Sequence, residues 1–194
     1  MAILGIRTNP RRHHSPYRLL RYSRPNTTFN NINRECKMIT LRHAIEELST
    51  FIMIQAEICK SRGWSYKTTE NAPESFKDLK AQTTHKCIPI ANYGCDTSIY
   101  DDNTINETFR FWHDVTHLET GADFSMQGEY TVIEEHLKAA KQYGLSRLAT
   151  RILFIDTVGQ VEYYHEHSEF VQNQKSFLNA CISKGINTTI KVKH

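Results

Sequence analysis

Apolar residues recur at helical spacing along most of the chain from position 40 onward, and polar breaks divide them into segments. Leu41, Ile45, Leu48, Ile52 and Cys59 fall on one helical face, with Phe51, Ile54 and Ile58 widening the stripe. Thr40 is placed to cap this helix and Gly63 to end it. His43 lies off the stripe beside Glu46 and Glu47 and reads as a surface residue. Residues 63–103 lose the period. Ser, Thr, Asn, Pro73 and Gly94 punctuate them around one short apolar run, Cys87-Ile88-Pro89-Ile90. A long irregular loop in a small domain often serves a site. His85, Tyr93, Asp96 and Tyr100 are its candidate substrate contacts, although a polar network within the loop explains each of them as well.

The helical period then resumes. Thr104-Ile105-Asn106-Glu107 fits a capping box, and the second helix carries Phe109, Trp112, Val115 and Thr116 as far as Gly121. A third helix runs from Ser125 to Gly144 with Glu129, Val132, Ile133, His136 and Ala140 on one side. A fourth follows Ser146 and continues through Leu148, Ile152, Leu153, Ile155, Asp156, Gly159 and Gln160 to Tyr163. The last spans Val171 to Ser183 and is closed by Gly185, after which Ile186, Ile190 and Val192 have the alternation of a short strand. No internal repeat is visible. The pattern predicts an all-α domain: a bundle of about five helices with one long irregular loop.

Composition adds a boundary. Residues 1–37 contain eight Lys or Arg (Arg7, Arg11, Arg12, Arg18, Arg21, Arg24, Arg34, Lys37) against one acid, Glu35, a net charge of +7; the remaining sixteen basic and twenty acidic residues give −4. A basic tail, 1–37, thus precedes a mildly acidic domain, 38–194. The tail has no clear period and reads as disordered. It is either an arm for phosphate backbones or a segment without a role. It can also be untranslated in nature. Met38 opens directly onto the first helix, and Arg34-Glu35 can be encoded AGG-GAG, which resembles a bacterial ribosome-binding site. The domain itself has no basic stripe, which argues against nucleic acid as its partner.

No apolar run approaches the roughly 20 residues that span a bilayer, and no signal-peptide pattern opens the chain. The five cysteines, Cys36, Cys59, Cys87, Cys95 and Cys181, are odd in number and lack Cys-x-x-Cys spacing. Free thiols in a reducing, cytoplasmic compartment are expected, with Cys87 or Cys95 at most a lone metal ligand.

The chemistry concentrates in Phe109-Arg110-Phe111-Trp112-His113-Asp114-Val115-Thr116-His117. His113 and His117 are one helical turn apart, so two imidazoles share a face and can bind one divalent metal. Glu129 or Asp156 can supply a carboxylate, and His136 is a further candidate ligand. Asp156 interrupts an apolar run, which is costly unless the carboxylate is paired or metal-bound. Such a set with an open position suits zinc, iron or manganese. The plainer alternative is a pair of histidines hydrogen-bonded in a polar core. In an enzyme, the metal would polarise an ester or phosphoryl oxygen, and Asp114 or Glu129 would accept a proton from water. Arg110, Arg151, Gln160 and His85 would hold an anionic substrate. His165 and His167 read as a solvated helix end.

The His113-Asp114 pair resembles the central element of HD-domain metal phosphohydrolases, which are all-helical. That resemblance implies an earlier His, for which His85 or His43 stands, and a later Asp, for which Asp156 stands. The Phe109 to His117 motif, with Ser98-Ile99-Tyr100, Asn106, Gly128-Glu129 and Asp156-Thr157-Val158-Gly159-Gln160, is similar to a group of uncharacterised tailed-phage proteins with a Phe-Arg-x-Trp-His-Asp-x-x-His signature. It implies work in a bacterial host cytoplasm. The reading is a metal-dependent hydrolase, foremost a phosphohydrolase for a nucleotide or related phosphate. The alternative is a non-enzymatic phage protein that binds a host factor, with a structural His cluster. A ferritin-like redox protein fits less well, because Glu-x-x-His does not recur at the expected spacing on two helices.

Overall fold

Helix α1, Leu41–Ser61, turns Ala44, Leu48, Phe51, Ile52, Ala56 and Cys59 inward, and the Thr40 hydroxyl accepts the His43 amide as its N-cap. The computed structural model describes residues 40–94 and 98–193, all within the unit Met38–His194. The readings of the basic tail, of a start at Met38, and of Cys36, Cys95 and Asp96 lie outside the described residues. Helix α3, Asn103–Thr120, and helix α5, Arg147–Phe154, pack on α1. Helix α4, Met126–Tyr143, packs on α3 and α5. The expected caps Ser125 and Ser146 each accept an amide hydrogen bond from the first turn that follows, and Gly121 and Gly144 end α3 and α4 in the left-handed region. Phe51 meets Trp112 edge-on at 5.4 Å, joining α1 to α3 in the core.

The segment expected to be irregular contains a small β-α-β unit. Strands β1, Ser65–Thr69, and β2, Cys87–Ala91, pair in parallel with Tyr66 opposite Ile88 and Thr68 opposite Ile90. Helix α2, Phe76–Gln82, forms the crossover that parallel strands need. Strand β2 packs on α3 and buries Ile88, Pro89 and Ile90. Strands of five residues are too short to show a period, and β1 is mostly exposed. Its pairing is decided by α3 beneath it, so the sequence carries little local signal. The fold remains all-α in class.

Other boundaries move for local reasons. Asp102, not Thr104, caps α3, with its carboxylate accepting the Thr104 amide. The fourth expected helix is continuous to His167 but passes through a π-helical turn, Ile155–Gly159, before helix α6, Gln160–His167. Helix α7, Gln174–Lys184, starts at its cap Asn173, later than Val171. The expected terminal strand is instead a short helix α8, Ile186–Thr189, packed on α7. His167 is half-buried instead of fully solvated: it packs on Tyr163 and donates Nε2–H to the Ile190 carbonyl at 2.7 Å, tying α6 to residues near the end of the chain. Cys59, Cys87 and Cys181 are free thiols, and burial pushes Cys59 up to about 11, which makes it unreactive. Among the described residues, no helix is long and apolar enough to cross a membrane.

Candidate metal centre

The site forms where the end of α3 faces the start of α4. Gly121 reverses the chain after α3 with φ +73°. Four residues later Ser125 caps α4, its hydroxyl accepting the Gly128 amide at 3.2 Å. Gly128 lets this connection close. A Cβ there would lie 1.8 Å from the Asp123 carbonyl oxygen, so only glycine allows the loop to rest on the first turn of α4. That close approach turns Glu129 toward α3. A carboxylate in the first turn also interacts favourably with the helix dipole.

Three donor residues converge there. His113 Nε2 and His117 Nε2 are 3.0 Å apart. Glu129 places Oε2 at 3.2 Å from His113 Nε2 and Oε1 at 3.4 Å from His117 Nε2. Tetrahedral bonds of about 2.0–2.1 Å to zinc put ligand atoms about 3.3 Å apart; here each nitrogen is near that distance from the other and from one Glu129 oxygen, and one donor atom from each residue lies within 4.8 Å of the other two. The protonation pattern fits as well. A carbonyl only accepts, so His117 Nδ1, 3.0 Å from the Ala122 oxygen, carries the proton and leaves Nε2 bare toward the centre. Among the described residues His113, His117 and Glu129 are the group whose donor atoms could hold a metal ion. His117 is fully buried, whereas the side chains of His113 and Glu129 are 19 % and 12 % exposed, so one side of the centre meets solvent.

Electrostatics suit a positive charge at this point. Burial pulls His113 down, but the hydrogen bond and charge of Glu129, with Asp114 and Asp156, outweigh it, and the imidazole is raised above its ordinary value. Burial pushes Glu129 up, but His113 and His117 outweigh that and hold it well below the usual carboxylate range.

The remaining expected site residues lie around this group without joining it. His136 is buried on α4, stacked on Trp112 with ring centroids 3.7 Å apart, and its Nε2 lies 3.3 Å from His113 Nδ1, away from the three converging atoms. Asp156, in the π-helical turn, accepts from the Tyr100 hydroxyl at 2.9 Å and from Gln160 Nε2 at 2.8 Å. These donors answer the carboxylate that the sequence left unexplained. Burial, partly offset by them, pushes Asp156 up to about 6. Gln160 is thereby engaged, and its oxygen also accepts from Gln174. Arg110 donates to the carbonyls of Ala91, Tyr93 and Gly94, holding the loop after β2. Arg151 donates to the carbonyls of Cys181 and Ile182 at the end of α7. His85 is exposed in a turn before β2, with φ +49°. Gln160 and the arginines therefore serve structural contacts where substrate contacts were expected. Asp114 is half-buried beside the centre; burial pushes it up to about 6 against the opposing pull of His113, His117 and Arg110.

Three participants were not legible. The Ala122 carbonyl orients His117, but a backbone acceptor has no residue signature. Trp112 supports His136, although along the chain it stood in the motif and on the apolar stripe with no role of its own. Phe124 packs edge-on against His117 at 4.8 Å, from a loop without a period. Compared with known proteins, the chain matches no family model, no curated protein and no solved structure.

Proposed function

We propose that this protein is a metal-dependent hydrolase with His113, His117 and Glu129 as ligands of one divalent ion, zinc, iron or manganese. The observation that carries this reading is the convergence of three donor residues whose ligand atoms lie within 4.8 Å of one another, with the His117 Nδ1 facing a carbonyl that leaves its Nε2 to the centre. A bound divalent ion polarises an ester or phosphoryl oxygen and lowers the pKa of water toward about 7. Asp114 has the proton affinity of a general base at neutral pH. Glu129 does not, because its partners keep it ionised; its role is that of a ligand. The substrate class we favour is a nucleotide or related phosphate, with the metal as the main counter-charge, since Arg110 and Arg151 are engaged by backbone carbonyls. The cytoplasm of an infected bacterium is the setting we propose, and the likeness of the Phe109 to His117 motif to tailed-phage proteins is what supports it.

Elemental analysis of untagged protein beside His113→Ala and His117→Ala tests the reading. About one ion per chain, lost in both variants while circular dichroism is unchanged, supports it and opens a screen of nucleotide phosphates. Protein that carries no metal and takes none up from added salts would remove it.

A non-enzymatic protein that binds a host factor is the second reading, and one observation favours it. Met53, Ile54 and Ile58 are exposed on the outer face of α1 and line a shallow apolar groove with Thr50, Glu57 and Ser61. Metal that is retained without turnover of any phosphate ester, together with a host protein captured by wild type but not by Ile54→Asp, would favour this second reading.

A further inference from the structure

His136 is a buried histidine with a peculiar hydrogen-bond account. It is 1 % exposed, and among the described residues its Nδ1 has no hydrogen-bond partner. Leaving a buried polar atom unpaired costs about 1–3 kcal/mol. A phenylalanine stacked on Trp112 would avoid that cost, so packing alone gives no reason for an imidazole here. His136 Nε2 faces Nδ1 of His113 at 3.3 Å.

We infer that His136 is a positioning residue for the metal centre: its Nε2 accepts the Nδ1–H of His113 and thereby holds His113 with a bare Nε2 toward His117 and Glu129. The inference rests on the metal-centre reading above. A ligating imidazole binds through one nitrogen and donates N–H from the other, and the partner of that N–H sets tautomer and ring orientation. His117 has such a partner in the Ala122 carbonyl. His113 has His136. A neutral imidazole has one donor and one acceptor nitrogen, so accepting at Nε2 obliges His136 to carry its own proton on Nδ1. That is the atom the structure leaves unpartnered. The unpaired nitrogen is thus the counterpart of the correct tautomer on the ligand. Trp112, one residue before His113 on α3, lies against the ring and fixes its plane.

The test is zinc competition against a chromophoric chelator on the full chain, comparing wild type, His136→Phe and His136→Gln. Phenylalanine keeps the stack on Trp112 and removes the acceptor. Glutamine supplies an amide oxygen that can accept but is a poor zinc ligand. Wild type should bind one zinc, His136→Phe should bind about 10–100-fold more weakly with its circular dichroism unchanged, and His136→Gln should recover much of the loss. Nitrogen-15 NMR of zinc-loaded protein should show a slowly exchanging His113 Nδ1–H in wild type and in the glutamine variant, and not in the phenylalanine variant. Equal zinc affinity in wild type and His136→Phe would overturn the inference while leaving the centre intact. So would a glutamine variant as weak as the phenylalanine one, since His136 would then act as a ligand or as packing. Wild type that binds no zinc would overturn the centre itself.

Discussion

Glu129 and His113 set opposite edges of one pH window in metal-free protein. Glu129 is depressed in the fold, so its stabilisation is present above its unfolded value of about 4.3 and is lost as pH falls. His113 is raised, so its stabilisation is full below about 6.5 and is lost as pH rises through its folded value. The pair therefore contributes most between roughly pH 4.3 and 6.5. Urea denaturation of Glu129→Gln against wild type, with chelator present, should show a destabilisation that grows from pH 3 to 5 and shrinks again above neutrality. A flat difference would mean that the two groups do not interact as placed. Asp156 behaves in the other direction. Its pKa of about 6 lies above the unfolded value, so folding loses stability as pH rises from about 4 through 6. Tyr100 donates to the ionised form, and Tyr100→Phe should cost about 1–3 kcal/mol at pH 8 and clearly less at pH 5. An equal loss at both values would show that the hydroxyl does not serve the carboxylate.

Helix α4 has to begin at the right place and at the right distance for Glu129 to reach two histidines on α3. Two small residues arrange this. Ser125→Ala removes the cap and should lower stability by about 1 kcal/mol. Gly128→Ala is a harsher change, because its Cβ would overlap the Asp123 carbonyl and the connection must move. A loss of about 1–3 kcal/mol or more is expected, together with weaker zinc binding, since displacing the first turn carries Glu129 with it. Thermal melts and zinc competition on the same preparations separate the two variants: the serine change should lower the melting temperature with little effect on affinity, and the glycine change should lower both. The β-α-β unit and the π-helical turn belong to this scale as well. Strand β1 exposes Ser65, Lys67 and Thr68, and its order comes from pairing with β2, which rests on α3. The five residues of the π-helical turn, Ile155–Gly159, are all buried, so packing on every side selects a backbone that local propensity does not announce.

For the whole molecule, a ligand that binds only the folded state adds stability in proportion to the logarithm of its concentration. At a thousandfold excess over its dissociation constant the gain is about 4 kcal/mol. For a domain of this size each kcal/mol shifts the melting temperature by about 2–4 °C. Calorimetry of untagged protein should therefore show a rise of roughly 10 °C between chelator and saturating zinc, absent in His117→Ala. A melting temperature indifferent to zinc, iron and manganese would count against any centre formed by folding. The helices that enclose this centre, and the caps of most of them, were legible along the chain, because amphipathic stripes and Ser or Gly boundaries are local consequences of a 3.6-residue period. The pairing of His113 with His117 was legible for the same reason, since one turn of helix fixes their proximity. Which carboxylate completes the group was not. Glu129 and Asp156 each stand among apolar positions, and nothing local ranks one above the other as the third ligand. Only the close approach of Asp123 to Gly128 turns one inward to the histidines, and only the meeting of Tyr100 with the π-helical turn engages the other. The first is the closing of an irregular connection and the second joins segments distant in sequence through a bent turn, and no helical period encodes either.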